Sequence, residues 1–173
     1  KAPLQQNPYF LSVDLMIRFL ESIEALEGHI GPLIFQFEYL NKKKMSGRGE
    51  FFDRFTNFVQ HLPSAYTYCM EIRNPNYLGE DYFALLNDNG LKHVFLHGYY
   101  MPSIFEVYQS HKDRVSGTAV IRLHGPDRND IEKQTRNRWN RIIAPKDHDI
   151  DRLADMLSDL DGRNVQSYVY VNN

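Results

Sequence analysis

The sequence predicts an α/β protein assembled from parallel βα units. Three observations carry that expectation. Five short apolar runs of strand length recur along the 173 residues. Between them lie stretches whose apolar residues recur at three and four, the helical spacing. Each strand-like run also turns polar at its C-terminal end, where parallel α/β proteins gather their functional groups.

The elements follow in order. Val13, Met16, Ile17, Leu20, Ile23 and Leu26 mark a first helix, which Gly28 can end. "PLIFQFEYL" (32–40) reads as the first strand. Phe51, Phe52, Phe55, Phe58, Val59 and Leu62 mark a second helix before Pro63. "YTYCMEIRN" (66–74) is the second strand. Tyr82, Phe83, Leu85 and Leu86 form a shorter helix closed near Asn89-Gly90. "KHVFLHG" (92–98) follows, then a short helix from Pro102 to His111, then "TAVIRLHG" (118–125). Asp151 to Leu160 is the last helix. Leu153, Ala154, Met156, Leu157 and Leu160 form its buried stripe, and Asp149 is its expected N-cap. "VQSYVYVNN" (165–173) closes the series. The polar stretches "NKKKMSGRGE" (41–50) and "GPDRNDIEKQTRNRWNR" (125–141) each follow a strand and read as long βα loops. Two architectures compete, an open doubly wound sheet and a (βα)8 barrel. A barrel needs about 200 residues or more, so this chain would hold part of one. No Gly-rich phosphate loop follows a strand, which weakens the nucleotide-binding open sheet.

Composition narrows the function classes. The chain is 42% hydrophobic and 24% charged, ordinary for a globular protein with a sizeable core. A formal charge of -2 argues against a surface built for nucleic acid or for an anionic membrane. No apolar run approaches the roughly 18 residues that span a bilayer. The start, "KAPLQQNPYF", has neither an initiator Met nor the apolar core of a signal peptide. A processed start or an excerpt of a longer chain is expected. Cys69 is the single cysteine, so no intrachain disulfide can form, which fits a reducing cytoplasm. Its apolar run makes it a buried core residue.

Strand side chains alternate between faces. Toward the strand ends, one face of each run carries Gln36 and Glu38; Glu71 and Arg73; His93, Phe95 and His97; Arg122 and His124; and Tyr168, Tyr170 and Asn172. The plainer reading of any single member is a polar group bonded to its neighbours. Taken together they predict a ligand site, because unpaired buried ions cost several kcal/mol each. Arg73 and Arg122 can grip phosphate or carboxylate. His97 and His124 can move protons near neutral pH. Glu71 can act as a base or neutralise Arg73. A metal held by His97, His124, Glu71 and Glu38 is the lesser reading, since there is no HExxH, no Cys cluster and no close His pair at ligand spacing. No GxSxG elbow marks a serine nucleophile. The basic loop at 42–48 reads first as a solvated connection and second as a cationic flap. Trp139 reads first as a loop anchor and second as a stacking platform.

"GPLIFQF", "EIRNPNY", "IRLHG" and "YVYVNN", in that order, resemble the YecE-like family, catalogued as domain of unknown function 72. The matching positions are Gly31, Pro32 and Gln36; Glu71 and Arg73; Arg122, His124 and Gly125; Tyr170, Asn172 and Asn173. The opening "KAP" resembles the family's third strand end. The resemblance spans essentially the whole chain and implies a TIM-barrel-like fold. This chain would then supply roughly strands four to eight, with Lys1 ending strand three and the earlier βα units lying outside it. Such a part exposes two strand edges, so a preceding segment or a second chain is expected to cover the gap. Three departures stand out. "FEYLNKKK" replaces a proline-rich turn, Asn74 replaces a histidine, and "LHGYY" replaces an acidic strand end. The resemblance implies a fold and a pocket but no reaction.

Two function readings follow. The first is an enzyme acting on a small phosphorylated or carboxylated substrate, with hydrolysis and isomerisation equally compatible. Glu71 and His124 would be catalytic. Gln36, Arg73, His97, Arg122, Tyr170 and Asn172 would bind substrate. The second is a non-catalytic module for a small ligand or nucleic acid. A small anion is the expected partner and a membrane is not. Neither a cofactor nor an oligomeric state can be read from these residues.

Overall fold

Ser12 opens the first helix by accepting a hydrogen bond from the Leu15 amide at 3.2 Å. The structure, a computed structural model, describes residues 7–171 apart from Glu27, Tyr99, Pro126, Asp127, Asn137, Trp139, Arg141 and Ala144. Lys1, Trp139, Asn172 and Asn173, for which the sequence raises expectations, lie outside the described residues. The chain divides into two compact units, Lys1–Leu91 and Lys92–Asn173.

The first unit holds α1 (Val13–Ile23), β1 (Leu33–Gln36), α2 (Arg48–Val59), β2 (Tyr68–Glu71) and α3 (Glu80–Asp88). The β1 and β2 strands pair in parallel, with Leu33 opposite Tyr68 and Gln36 opposite Glu71. The spacing of Phe51, Phe55, Phe58 and Val59 buries one stripe of α2. The Phe35 ring lies 5.7 Å from Phe55, 5.4 Å from Phe58 and 5.6 Å from Tyr68. Phe37 meets Phe51 edge-on at 4.9 Å. These contacts fix which face of the pair α2 covers. Phe35, Phe37 and Tyr68 face the helix, so Gln36 and Glu71 face away from it. Cys69 is fully buried, as its apolar run predicts.

The second unit holds β3 (Lys92–His97), α4 (Ile104–His111), β4 (Thr118–Leu123), α5 (Arg128–Thr135), α6 (Asp147–Gly162) and β5 (Gln166–Val171). Parallel pairing runs β3–β4–β5. The α4 helix buries Ile104, Phe105, Val107 and Tyr108. At its far end Tyr108 donates to Asp159 at 2.7 Å, and Arg163 donates to the Tyr108 hydroxyl and to the Lys112 and Val115 carbonyls. That network ties the end of α6 to the turn after α4.

The expected α/β class is present, with five strands among the described residues and every registered strand pair parallel. Two local expectations need correction. The stretch 125–141 is not wholly a loop, because it contains α5. The last helix begins four residues before Asp151, so Lys146 occupies its N-cap and Asp149 lies in its first turn. An acidic first turn suits the positive end of the helix dipole, which accounts for the earlier start. Ala154 is exposed, while Met156 and Leu160 carry the buried stripe. Among the described residues no helix is long and apolar enough to cross a membrane.

Candidate functional site

In the first unit, Glu71 ends β2 with its side chain fully buried. Arg73, two residues on, places both Nε (3.1 Å) and Nη2 (3.0 Å) on Glu71 Oε1. Two charged donors on one buried carboxylate oxygen make a strong, well-neutralised pair. Asn74 is 1% exposed and clamps the backbone of Leu40 in both directions. Its Oδ1 accepts from the Leu40 amide at 2.8 Å and its Nδ2 donates to the Leu40 carbonyl at 3.0 Å. The asparagine therefore fastens the chain leaving β1 to the end of β2. Gln36 shares its sheet face with Glu71 by register and is exposed. It lines a groove of about 520 Å³ between α1 and β1 that is otherwise mostly apolar, with Phe10, Leu15, Phe19 and Phe35 among its walls. The basic loop is partly engaged. Lys44 pairs with Glu38 at 2.6 Å and Arg48 with Asp81 at 3.0 Å, while Lys42 and Lys43 are exposed.

In the second unit, register decides which strand-end groups meet. Arg122 is opposite Leu96 on one side and Tyr170 on the other. Paired residues of a parallel ladder share a face, so Arg122 and Tyr170 lie side by side. Phe95 packs edge-on against Tyr108 of α4 at 5.8 Å, which assigns the opposite face to α4. Arg122 and Tyr170 thus occupy the face turned away from α4. Arg122 is half-buried and Tyr170 is 49% exposed. His124 continues the same alternation beyond β4, its amide donating to the His97 carbonyl at 3.1 Å.

Gly98 runs directly beside His124. A Cβ at Gly98 would stand 3.3 Å from the His124 Cβ and 3.7 Å from its carbonyl oxygen. Its φ of +108° is one that L side chains rarely adopt. Gly98→Ala is therefore expected to lower stability by about 1–3 kcal/mol and to displace the His124 ring. Chemical denaturation and the His124 ring resonances measure the two effects, and an unchanged variant would refute the close approach.

His97 is not brought to this cluster. It is opposite Leu123, on the face that Phe95 turns to α4. Its Nε2 lies 3.9 Å from Asp149 Oδ2 in the first turn of α6, and Lys146 Nζ is 3.6 Å from the same oxygen. His93 lies on that face too and is buried against Phe95 at 4.6 Å. Burial, with His111 nearby, pushes its pKa down to about 3. His93 is thus a neutral core group.

The second unit therefore joins Arg122, His124 and Tyr170, and the first joins Glu71 and Arg73 beside Gln36. Sequence reasoning missed Asn74 as a clamp and Asp149 as a neighbour of His97. Its noted departures, Asn74 and "LHGYY", were the available signals. Among the described residues no group of three or more His, Cys, Asp or Glu is placed to hold a metal ion. The Arg122 cluster offers a fixed cation, an imidazole and a phenol, a set able to bind an oxyanion and move a proton.

No curated protein and no solved structure matches the chain. The family model described as protein of unknown function DUF72 matches residues 5–173, and the chain belongs to that family.

Proposed function

We propose that the chain binds a small phosphorylated or carboxylated molecule at the C-terminal ends of β4 and β5. One observation supports this reading: Arg122 and Tyr170 stand side by side on the face turned away from α4, with His124 two residues further along. Arg122 supplies the fixed charge and planar fork that oxyanions favour. His124 is the proton-transfer group, and hydrolysis or isomerisation is the reaction class that such a set serves. Glu71 and Arg73 are read as a pair holding the end of β2, since the carboxylate is buried against the guanidinium. The alternating parallel βα units favour a TIM-barrel-like architecture. A cytoplasmic setting accords with a single, buried cysteine.

Arg122→Ala tests the reading. Calorimetric titration with inorganic phosphate is expected to show affinity at least about tenfold weaker than in the wild type, with the melting transition preserved. Equal phosphate affinity in the two proteins would remove Arg122 from the site. The nucleic-acid alternative is weakened by the Lys44–Glu38 and Arg48–Asp81 pairs, which engage part of the basic loop.

A further inference from the structure

Tyr100 sits where the fold gives it no reason to be a tyrosine. The chain leaving β3 turns back over Gly98–Met101, and the Met101 amide donates to the Gly98 carbonyl at 3.0 Å. Tyr100 is the third residue of that four-residue turn, with φ +62°. A positive φ there is one that favours glycine or asparagine. A bulky side chain there costs roughly 1–2 kcal/mol. Packing does not recover the cost, because Tyr100 is 101% exposed. Strained backbone positions cluster at active sites and ligand clamps. The location agrees. The turn springs from Gly98, whose missing side chain brings the backbone against His124, the neighbour of Arg122 on β4.

We propose that Tyr100 is a ring-stacking residue of the Arg122–His124 anion site, selecting anions that carry a planar aromatic or heterocyclic group. This rests on the anion-binding reading of that site and specifies its ligand class. Arg122 and His124 would take the charged group. Tyr100, on the adjoining turn, would cover the ring, an offset-stacked contact available to any flat π-system.

The test compares inorganic phosphate with phenyl phosphate by calorimetric titration of the wild type, Tyr100→Phe and Tyr100→Ala. The wild type is expected to prefer phenyl phosphate by about tenfold. Tyr100→Phe keeps that preference and Tyr100→Ala brings it close to unity. A wild type that binds both probes equally, or a Tyr100→Ala protein that keeps the preference, overturns the assignment of Tyr100 while the anion site stands. If neither probe binds the wild type, the anion site itself falls, and Tyr100 with it. Thermal unfolding of Tyr100→Gly gives an independent check. Glycine relieves the positive φ, so its melting temperature is expected to equal or exceed that of the wild type. A clearly lower one would make Tyr100 a structural residue and overturn the proposal.

Discussion

Arg73→Ala is expected to destabilise the protein by about 3 kcal/mol or more. The reason lies in the partner left behind. The Glu71 side chain is fully buried, and Arg73 is 20% exposed with two nitrogens on one Glu71 oxygen. Deleting the guanidinium removes both charged donors and leaves a carboxylate in the core without that compensation. Truncation of the arginine stem adds a packing loss of its own. The double variant Glu71→Gln, Arg73→Ala separates the two costs. With the carboxylate neutralised, the penalty of a buried charge disappears, so the double variant is expected to be more stable than Arg73→Ala alone. Urea unfolding midpoints of the four proteins complete the cycle. An Arg73→Ala protein that unfolds with the wild type would show that the pair does not hold β2. It would also return Arg73 to the list of ligand groups.

Which parts of this arrangement could be read in the sequence depends on what each signal measures. Apolar runs located all five strands, and three-four spacing located α1 and α2, because burial imposes those periods directly. Alternation also grouped Glu71 with Arg73, which the structure pairs. Alternation cannot say which of two faces meets a helix when both are apolar. On β3, Val94 and Leu96 are as buried as His93 and Phe95. Only the Leu96–Arg122 register and the contact of Phe95 with Tyr108 separate His97 from Arg122. The α5 helix escaped detection because "RNDIEKQT" holds a single apolar residue, Ile131, and so has no stripe to find. The bidentate clamp of Asn74 on Leu40 spans 34 residues of sequence, beyond any local pattern. Tyr100 lies within "LHGYY", yet its positive φ belongs to the turn and not to the letters.

Acidification is expected to destabilise the wild type through His93 more than through an ordinary imidazole. Its folded pKa is held down to about 3 by burial, with His111 adding to the effect, against an ordinary value of 6.5. Between those limits the unfolded chain binds a proton that the folded chain refuses, so stability rises with pH across the window. The contribution is fully present above about pH 6.5 and is lost progressively as the pH falls. The limiting slope for one such group is about 1.4 kcal/mol per pH unit. His93→Leu keeps an apolar side chain against Phe95 and removes the titration. Urea midpoints at pH 7, 6 and 5 are expected to fall faster for the wild type than for the variant. Parallel curves would mean that the folded protein accepts the proton, and that His93 is reached by water or by a counter-charge. The outcome bears on function as well as stability. His93, Phe95 and His97 share one face of β3, and Arg122 and Tyr170 share the other face of the same sheet. A His93 that stays neutral in acid places its face in the core around α4. The proton transfer proposed for the anion site then falls to His124, the imidazole that follows Arg122 on the side turned away from α4.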